Sequence, residues 1–159
     1  METETLLAQY QHFMQDAALV RLHRDLLARM RAAARAMEQE GAGQWRVSAL
    51  HTGELDVSHF SVVTPALQSR KGKYVVALLH GSLTFELWLS AANQKALDAL
   101  RPLTRALPTG DQTPVPEDWA PFVAARWVLG GRELLQPEAL TAEACRRLRA
   151  VDDRLAAIK

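Results

Sequence analysis

From Leu83 to Ser90 the chain alternates without a break: Leu83, Phe85, Leu87 and Leu89 fall on one side, Thr84, Glu86, Trp88 and Ser90 on the other. That period of two is the signature of a β-strand with two unlike faces. Just before it, Lys73 to His80 is an apolar run of strand length, and Gly81-Ser82 predicts a two-residue hairpin loop of the glycine-first type. Two more strands precede these. Trp45, Val47 and Ala49 alternate with polar residues, and Gly53 turns the chain into Glu54–Val63. In that stretch Leu55 and Val57 share one face, whereas Phe60 and Val62 share parity only with Ser58; the slip predicts a β-bulge near Ser58-His59. Pro65 to Ser69 suits a short helical turn. The connections within this region are too short for parallel crossovers, so its strands must meander antiparallel.

Helical periodicity flanks the sheet. Residues 3–39 read as helix, with Leu6, Tyr10, Phe13, Ala17 and Val20 as one stripe expected to be buried. The stripe then shifts to Leu19, Leu22, Leu26, Met30, Ala33 and Met37. A straight helix cannot carry both stripes to one core. Asp16 lies at the join and can cap a new start, which predicts two helices, or one kinked near Asp16, ended by Gly41-Ala42-Gly43. A further helix is expected over 91–107, capped by Ser90 and kinked or ended in its middle by Pro102. Pro108 to Asp118 is a loop. Residues 122–129 fit a strand through Val123, Ala125, Trp127 and Leu129, or a helix through Trp119, Val123 and Trp127; Pro121 and Gly130-Gly131 at the borders favour the strand. The last helix is expected over 141–158, with Thr141 as cap and an apolar stripe of Ala144, Leu148, Val151, Leu155 and Ile158. The reading is one α+β domain over 1–159: helical segment 1–40, sheet 44–90, helix 91–107, strand 122–129 and helix 141–158. Its antiparallel meander sheet has four to five strands, packed with the N-terminal, middle and C-terminal helices.

Charge and cysteine usage narrow the function. The chain's 159 residues include 19 Lys and Arg against 18 Asp and Glu, a net charge of +1, so no global field draws it to nucleic acid or acidic lipid. Arg21, Arg24, Arg31 and Arg35 on the first helical segment, and Arg146, Arg147, Arg149 and Arg154 on the last, read as solvated faces. Cys145 stands alone, which excludes an internal disulfide and fits a reducing compartment. The acidic, amphipathic start lacks the features of a signal peptide, and no apolar run is long enough to span a bilayer, so a cytoplasmic address is expected without membrane contact.

No phosphate-binding glycine loop, HExxH frame or GxSxG elbow is present, and Cys145 reads as a small buried thiol. No metal or other cofactor is expected; His51, Asp56 and His59 are the nearest approach to a metal set. The polar group that stands out is Asp56, His59, Glu86 and Asn93, joined by Trp88 and Arg126 as candidate ligand-binding residues. Glu86 shares a strand face with Trp88, where a carboxylate needs a partner to stay ionised, and Arg126 or Lys73 can supply one. A structural ion pair or a solvated sheet face is preferred to a ligand site here. Asp56 followed by Glu86-Leu87-Trp88 also resembles the D…ExK frame of metal-dependent nucleases, with Trp88 in the place of the lysine that helps activate water.

Two stretches carry a family resemblance. Gly53-Glu-Leu-Asp56-Val-Ser-His59-Phe60 resembles the Gly-x-x-Asp-x-x-(Tyr/His)-Phe segment, and Phe85-Glu86-Leu87-Trp88-Leu89-Ser-Ala-Ala-Asn93 the Phe-Glu-x-Trp-Leu-x-x-x-Asn segment, of a family of small bacterial proteins of uncharacterised function. The family often has Lys directly after the Asn; here Gln94 stands there and Lys95 follows. The resemblance implies an α+β fold, supplies no activity, and makes Asp56, Glu86, Trp88 and Asn93 the positions to watch. The expectation is a non-enzymatic ligand-binding or protein-interaction domain, acting as a homodimer. The alternative is a small-molecule enzyme or sensor with a pocket around Asp56, His59, Glu86, Trp88 and Asn93, and a nuclease-like protein is the remote one. No catalytic residue is identified.

Overall fold

The structure, a computed structural model described for residues 2–53 and 56–159, breaks its first helical segment where the two stripes meet. α1 (Thr3–Gln15) and α2 (Ala17–Glu40) flank Asp16, whose backbone is extended and whose side chain accepts from the Ala18 and Leu19 amides. A capping carboxylate of this kind contributes about 1 kcal/mol. Asp16→Ala is therefore expected to lower the free energy of unfolding by about 1 kcal/mol, read from a denaturant titration.

The remaining elements follow as β1 (Arg46–Val47), β2 (Val57–Val63), α3 (Pro65–Gln68), β3 (Gly72–Leu79), β4 (Thr84–Ala91), α4 (Gln94–Leu100), β5 (Gln112–Thr113), β6 (Ala125–Gly130) and α5 (Pro137–Ala157). The six strands form one sheet in the order β1-β2-β3-β4-β6-β5, antiparallel throughout. The strand expected over 122–129 is found as β6 over Ala125–Gly130, with 122–124 outside it, and it lies between β4 and the two-residue β5. Both edges of the sheet are two-residue strands, which limits the unpaired backbone they present.

α2 and α5 cover one face. Met30, Ala33 and Met37 of α2 and Ala144, Leu148, Val151 and Leu155 of α5 pack on Phe60, Tyr74, Val76, Leu87, Leu89 and Trp127. One polar knot is tied into this layer. Asp152 Oδ1 accepts from Thr64 Oγ1 at 2.6 Å and from the Tyr74 hydroxyl at 2.9 Å. Burial, and then Asp152 itself, hold the Tyr74 proton on far above the ordinary phenol range.

Several local expectations need correction. β2 pairs with β3 in unbroken register from Val57 to Val62, so no bulge lies at Ser58-His59; Leu55 lies outside the described residues. The extra residue sits on the opposing edge instead. Ser48 donates to the Ser61 carbonyl while His51 and His59 exchange both bonds, so three steps on one side face two on the other. A second irregularity falls between Phe85 and Glu86, against β6. The β3–β4 hairpin closes through His80–Leu83, and its left-handed residue is Leu83 (φ 52°), not Gly81. α4 begins at Gln94 with Asn93 as its cap in place of Ser90, and Pro102 converts the rest of the predicted helix into a 3-10 turn over Arg101–Ala106. α5 starts at Pro137, whose missing N–H costs nothing in a first turn; Thr141 lies inside the helix and donates to the Pro137 carbonyl.

The largest departure concerns α1. Its stripe was expected to be buried, yet none of its residues is. Leu26, Met30, Ala33 and Met37 of the α2 stripe do reach the core, but Leu19 and Leu22 stay exposed. An amphipathic stripe records apolar surface that seeks cover, not which molecule supplies it.

Candidate functional site

The sheet face away from α2 and α5 carries the alternate residues of the same strands. Ser61, Val75, Trp88, Arg126 and Thr113 are successive cross-strand partners, and His59, Ala77, Glu86 and Val128 form the neighbouring row. Glu86 and Trp88 therefore emerge together, away from Phe85, Leu87 and Leu89. Trp88 Nε1 donates to Glu86 Oε2 at 2.7 Å, and Arg126 Nη1 lies 3.6 Å from that oxygen. The Arg126 guanidinium also rests 5.0 Å from the Trp119 ring centroid and donates to Thr113 Oγ1. Trp119 arrives on the 3-10 turn Glu117–Trp119 and packs on Trp88 with ring centroids 5.0 Å apart. Val75, Ala77 and Val123 close the cluster, with Val115 beside it.

Glu86 is 3% exposed. Ionised there, it needs compensation, and it has an indole N–H, a guanidinium and a hydrophobic lid. This geometry holds a charge in place. Trp119 is the member that sequence reasoning missed: its spacing to Val123 and Trp127 was read as a rival helix pattern, whereas it reflects a loop folded back over the sheet.

Glu86, Trp88 and Arg126 are thus brought together, and the other singled-out residues stand apart. His59 lies one strand beyond Ala77 and stacks on His51, with centroids 5.1 Å apart. Burial, then His51 and Lys73, push its pKa below the ordinary imidazole range. Asn93 Oδ1 accepts from the Ala96 amide at 2.9 Å and caps α4. Asp56 sits at the start of β2, where its Oδ1 accepts from its neighbour Val57 and its carbonyl accepts from the His80 amide. The Asp56 charge acts on His80, which lines a groove on the helix side. Among the described residues, no group of three or more His, Cys, Asp or Glu side chains is arranged to hold a metal.

The second feature is that groove, about 530 Å³, between α1, the start of α2 and the β3–β4 hairpin. Leu6, Tyr10 and Phe13 line it from α1, Leu19, Leu22, His23 and Leu26 from α2, and His80 and Leu83 from the β3–β4 hairpin. The His23 and His80 rings are 5.2 Å apart. Ser58 gives its only hydroxyl proton to the Thr52 carbonyl, so the 2.8 Å contact between Ser58 Oγ and His80 Nε2 requires the imidazole to donate. Burial, then His23, lower the His80 pKa, and Asp56 opposes them. Among the described residues, seven of the eight exposed large apolar side chains lie on α1 and the start of α2: Leu6, Leu7, Tyr10, Phe13, Met14, Leu19 and Leu22.

Comparison with protein families gives a match over most of the chain. The family model of a domain of unknown function, DUF7000, matches residues 3–116. The chain belongs to this family. The DUF7000 match includes α1, the groove, Glu86, Trp88 and Asn93, and stops before Trp119, Arg126 and α5. No curated protein and no solved structure shows significant similarity to the chain.

Within this DUF7000 domain, the residues of both noted motifs have architectural work. A Cβ on Gly53 would lie 1.8 Å from the Val57 carbonyl oxygen, and its φ of +65° is left-handed, so only glycine fits. Phe60, Phe85 and Leu89 fill the core, Glu86 and Trp88 bond to each other, and Asn93 caps a helix. No helix among the described residues is long and apolar enough to cross a membrane.

Proposed function

We propose that this DUF7000 domain is a protein-interaction module whose docking surface is the α1–α2 hairpin, and that the Glu86 cluster is architecture and not a catalytic or ligand site. One observation carries the reading: α1 is a thirteen-residue helix with no buried residue, yet it carries an apolar stripe continuous with an apolar groove. A helix of that length is marginal in water without packing. The largest apolar patch on a monomeric protein is often a functional one. The pairing of Glu86 with Arg126 and Trp88 supports the second half of the proposal, because a carboxylate held for chemistry needs access to a substrate. We place the protein in a bacterial cytoplasm, a setting that suits a single buried thiol, Cys145.

The test separates a stripe that serves the fold from one that serves association. Leu6→Ala, Tyr10→Ala and Phe13→Ala are combined in one chain, alanine being the best helix former. In dilute solution its unfolding free energy is expected to stay within about 1 kcal/mol of the parent, since none of the three is buried. A loss of roughly 3 kcal/mol or more, the size of a core deletion, would mean that the stripe belongs to the fold and would end the interaction reading.

A further inference from the structure

Resting on that reading, we infer that the occupant of the groove is a second copy of this chain, related by a twofold axis that runs along the groove. Wall and filler are present on the same surface. Leu6, Tyr10 and Phe13 project from α1 beside a groove that they partly line, and Leu19 and Leu22 line it from α2. A twofold interface needs one patch complementary to itself, and a ridge next to a furrow meets that need. The same operation lays the α1 of each copy on the α2 of the other, so both unsupported helices gain cover at once.

Charge fixes the direction of the axis. α1 and its cap expose the acids Glu2 and Glu4; the start of α2 exposes Arg21, Arg24 and Asp25, the last paired with Arg29. None of Glu2, Glu4, Arg21 and Arg24 enters a salt bridge among the described residues. A twofold axis along the groove exchanges its two sides, so the acidic border of one copy faces the basic border of the other. An axis across the groove would set acid against acid and base against base, which costs association free energy.

The area fits as well. Aromatic and large aliphatic side chains offer roughly 150–200 Å² each, so the seven exposed ones, each near half-exposed, leave on the order of 500 Å² of apolar surface. A stable specific interface buries about 800 Å² per partner, with an apolar centre and a polar rim. The stripe supplies the centre, and the charged borders supply the rim.

The test is the oligomeric state of the full-length protein, followed by sedimentation and light scattering from micromolar to millimolar concentration. The expected result is a dimer. Tyr10→Glu, at the middle of the stripe, is expected to weaken it roughly a hundredfold, and circular dichroism checks that the variant folds. Phe122→Glu changes a large exposed apolar side chain outside the α1–α2 hairpin and is expected to leave the dimer intact. Glu4→Arg is expected to weaken association several-fold, and adding Arg21→Glu and Arg24→Glu in the same chain to restore it. A parent that stays monomeric at millimolar concentration overturns the second-copy assignment. A dimer that tolerates Tyr10→Glu overturns it too. A dimer that Glu4→Arg does not weaken, or that the compensating changes do not restore, overturns the direction of the axis. Each of these results is distinct from failure of the docking reading itself, which appears as destabilisation of the dilute chain by the alanine triple.

Discussion

Arg126→Ala is expected to cost about 3 kcal/mol of folding free energy, the low end of the range for removing one partner of a buried ion pair. The guanidinium lies 3.6 Å from Glu86 Oε2, and the acid is almost wholly buried. Without it the carboxylate keeps only the Trp88 indole N–H and a hydrophobic lid. Alanine also strips the flat cation from the Trp119 ring, so the loop over the sheet loosens. Glu86→Gln should cost less, about 1 kcal/mol, because the amide oxygen still accepts from Trp88 and the Arg126 guanidinium, left without its counter-ion, keeps Thr113 Oγ1, the Trp119 ring and partial contact with water. The decisive measurement is the double variant. If Glu86→Gln recovers much of the Arg126→Ala loss in a denaturant titration, the pair is a matched unit of the fold. If Arg126→Ala changes stability by less than about 1 kcal/mol, the charge of Glu86 is held some other way, and its exclusion from chemistry loses its basis.

Trp127→Ala should be costlier still, about 4 kcal/mol. Trp127 is fully buried, the bulkiest of the fully buried side chains, and its Nε1 donates at 2.7 Å to the Pro108 carbonyl, pinning the loop that leads into β5. Alanine leaves a cavity between the sheet and the helices and orphans that carbonyl. Trp127→Phe retains most of the volume and should cost about 2 kcal/mol, the lost hydrogen bond plus a smaller void. Thermal melting reads both, and near-equal melting temperatures for the two variants would show that the indole N–H, not the packing, dominates at this position.

These two residues show what the sequence discloses and what it does not. Alternation over 83–90 located Glu86 and Trp88 on the side away from the leucines, because side-chain direction in a strand follows from local geometry alone. Asp16 and Pro102 were legible for the same reason: a cap and a missing N–H act on their own few residues. Arg126 could be named as a partner for Glu86 once 122–129 was taken as a strand, although the register that joins them is not local. Trp119 could not, since only the folded chain brings a loop over a sheet. β5 carries no periodicity at two residues and exists because β6 offers it free backbone groups. The bulge expected at Ser58-His59 is absent, because β2 alternates without a slip from Val57 to Val63; the extra residue between Ser48 and His51 left no mark on the β2 pattern. The α1 stripe was read correctly as apolar and wrongly as buried, the error to be expected where cover comes from outside the chain.

The position of β6 between β4 and β5 has a consequence for assembly during synthesis. The β3–β4 hairpin leaves the ribosome well before residues 125–130, so for that interval β4 is a bare sheet margin able to capture another nascent chain. Glu86 stands in the middle of that margin, an ionic side chain without its cation. Inward-pointing charge is one of the devices by which sheets discourage illegitimate strand addition. The acid thus has two successive duties: it repels strangers while the margin is open, and it helps to lock the rightful neighbour once β6 arrives with its arginine.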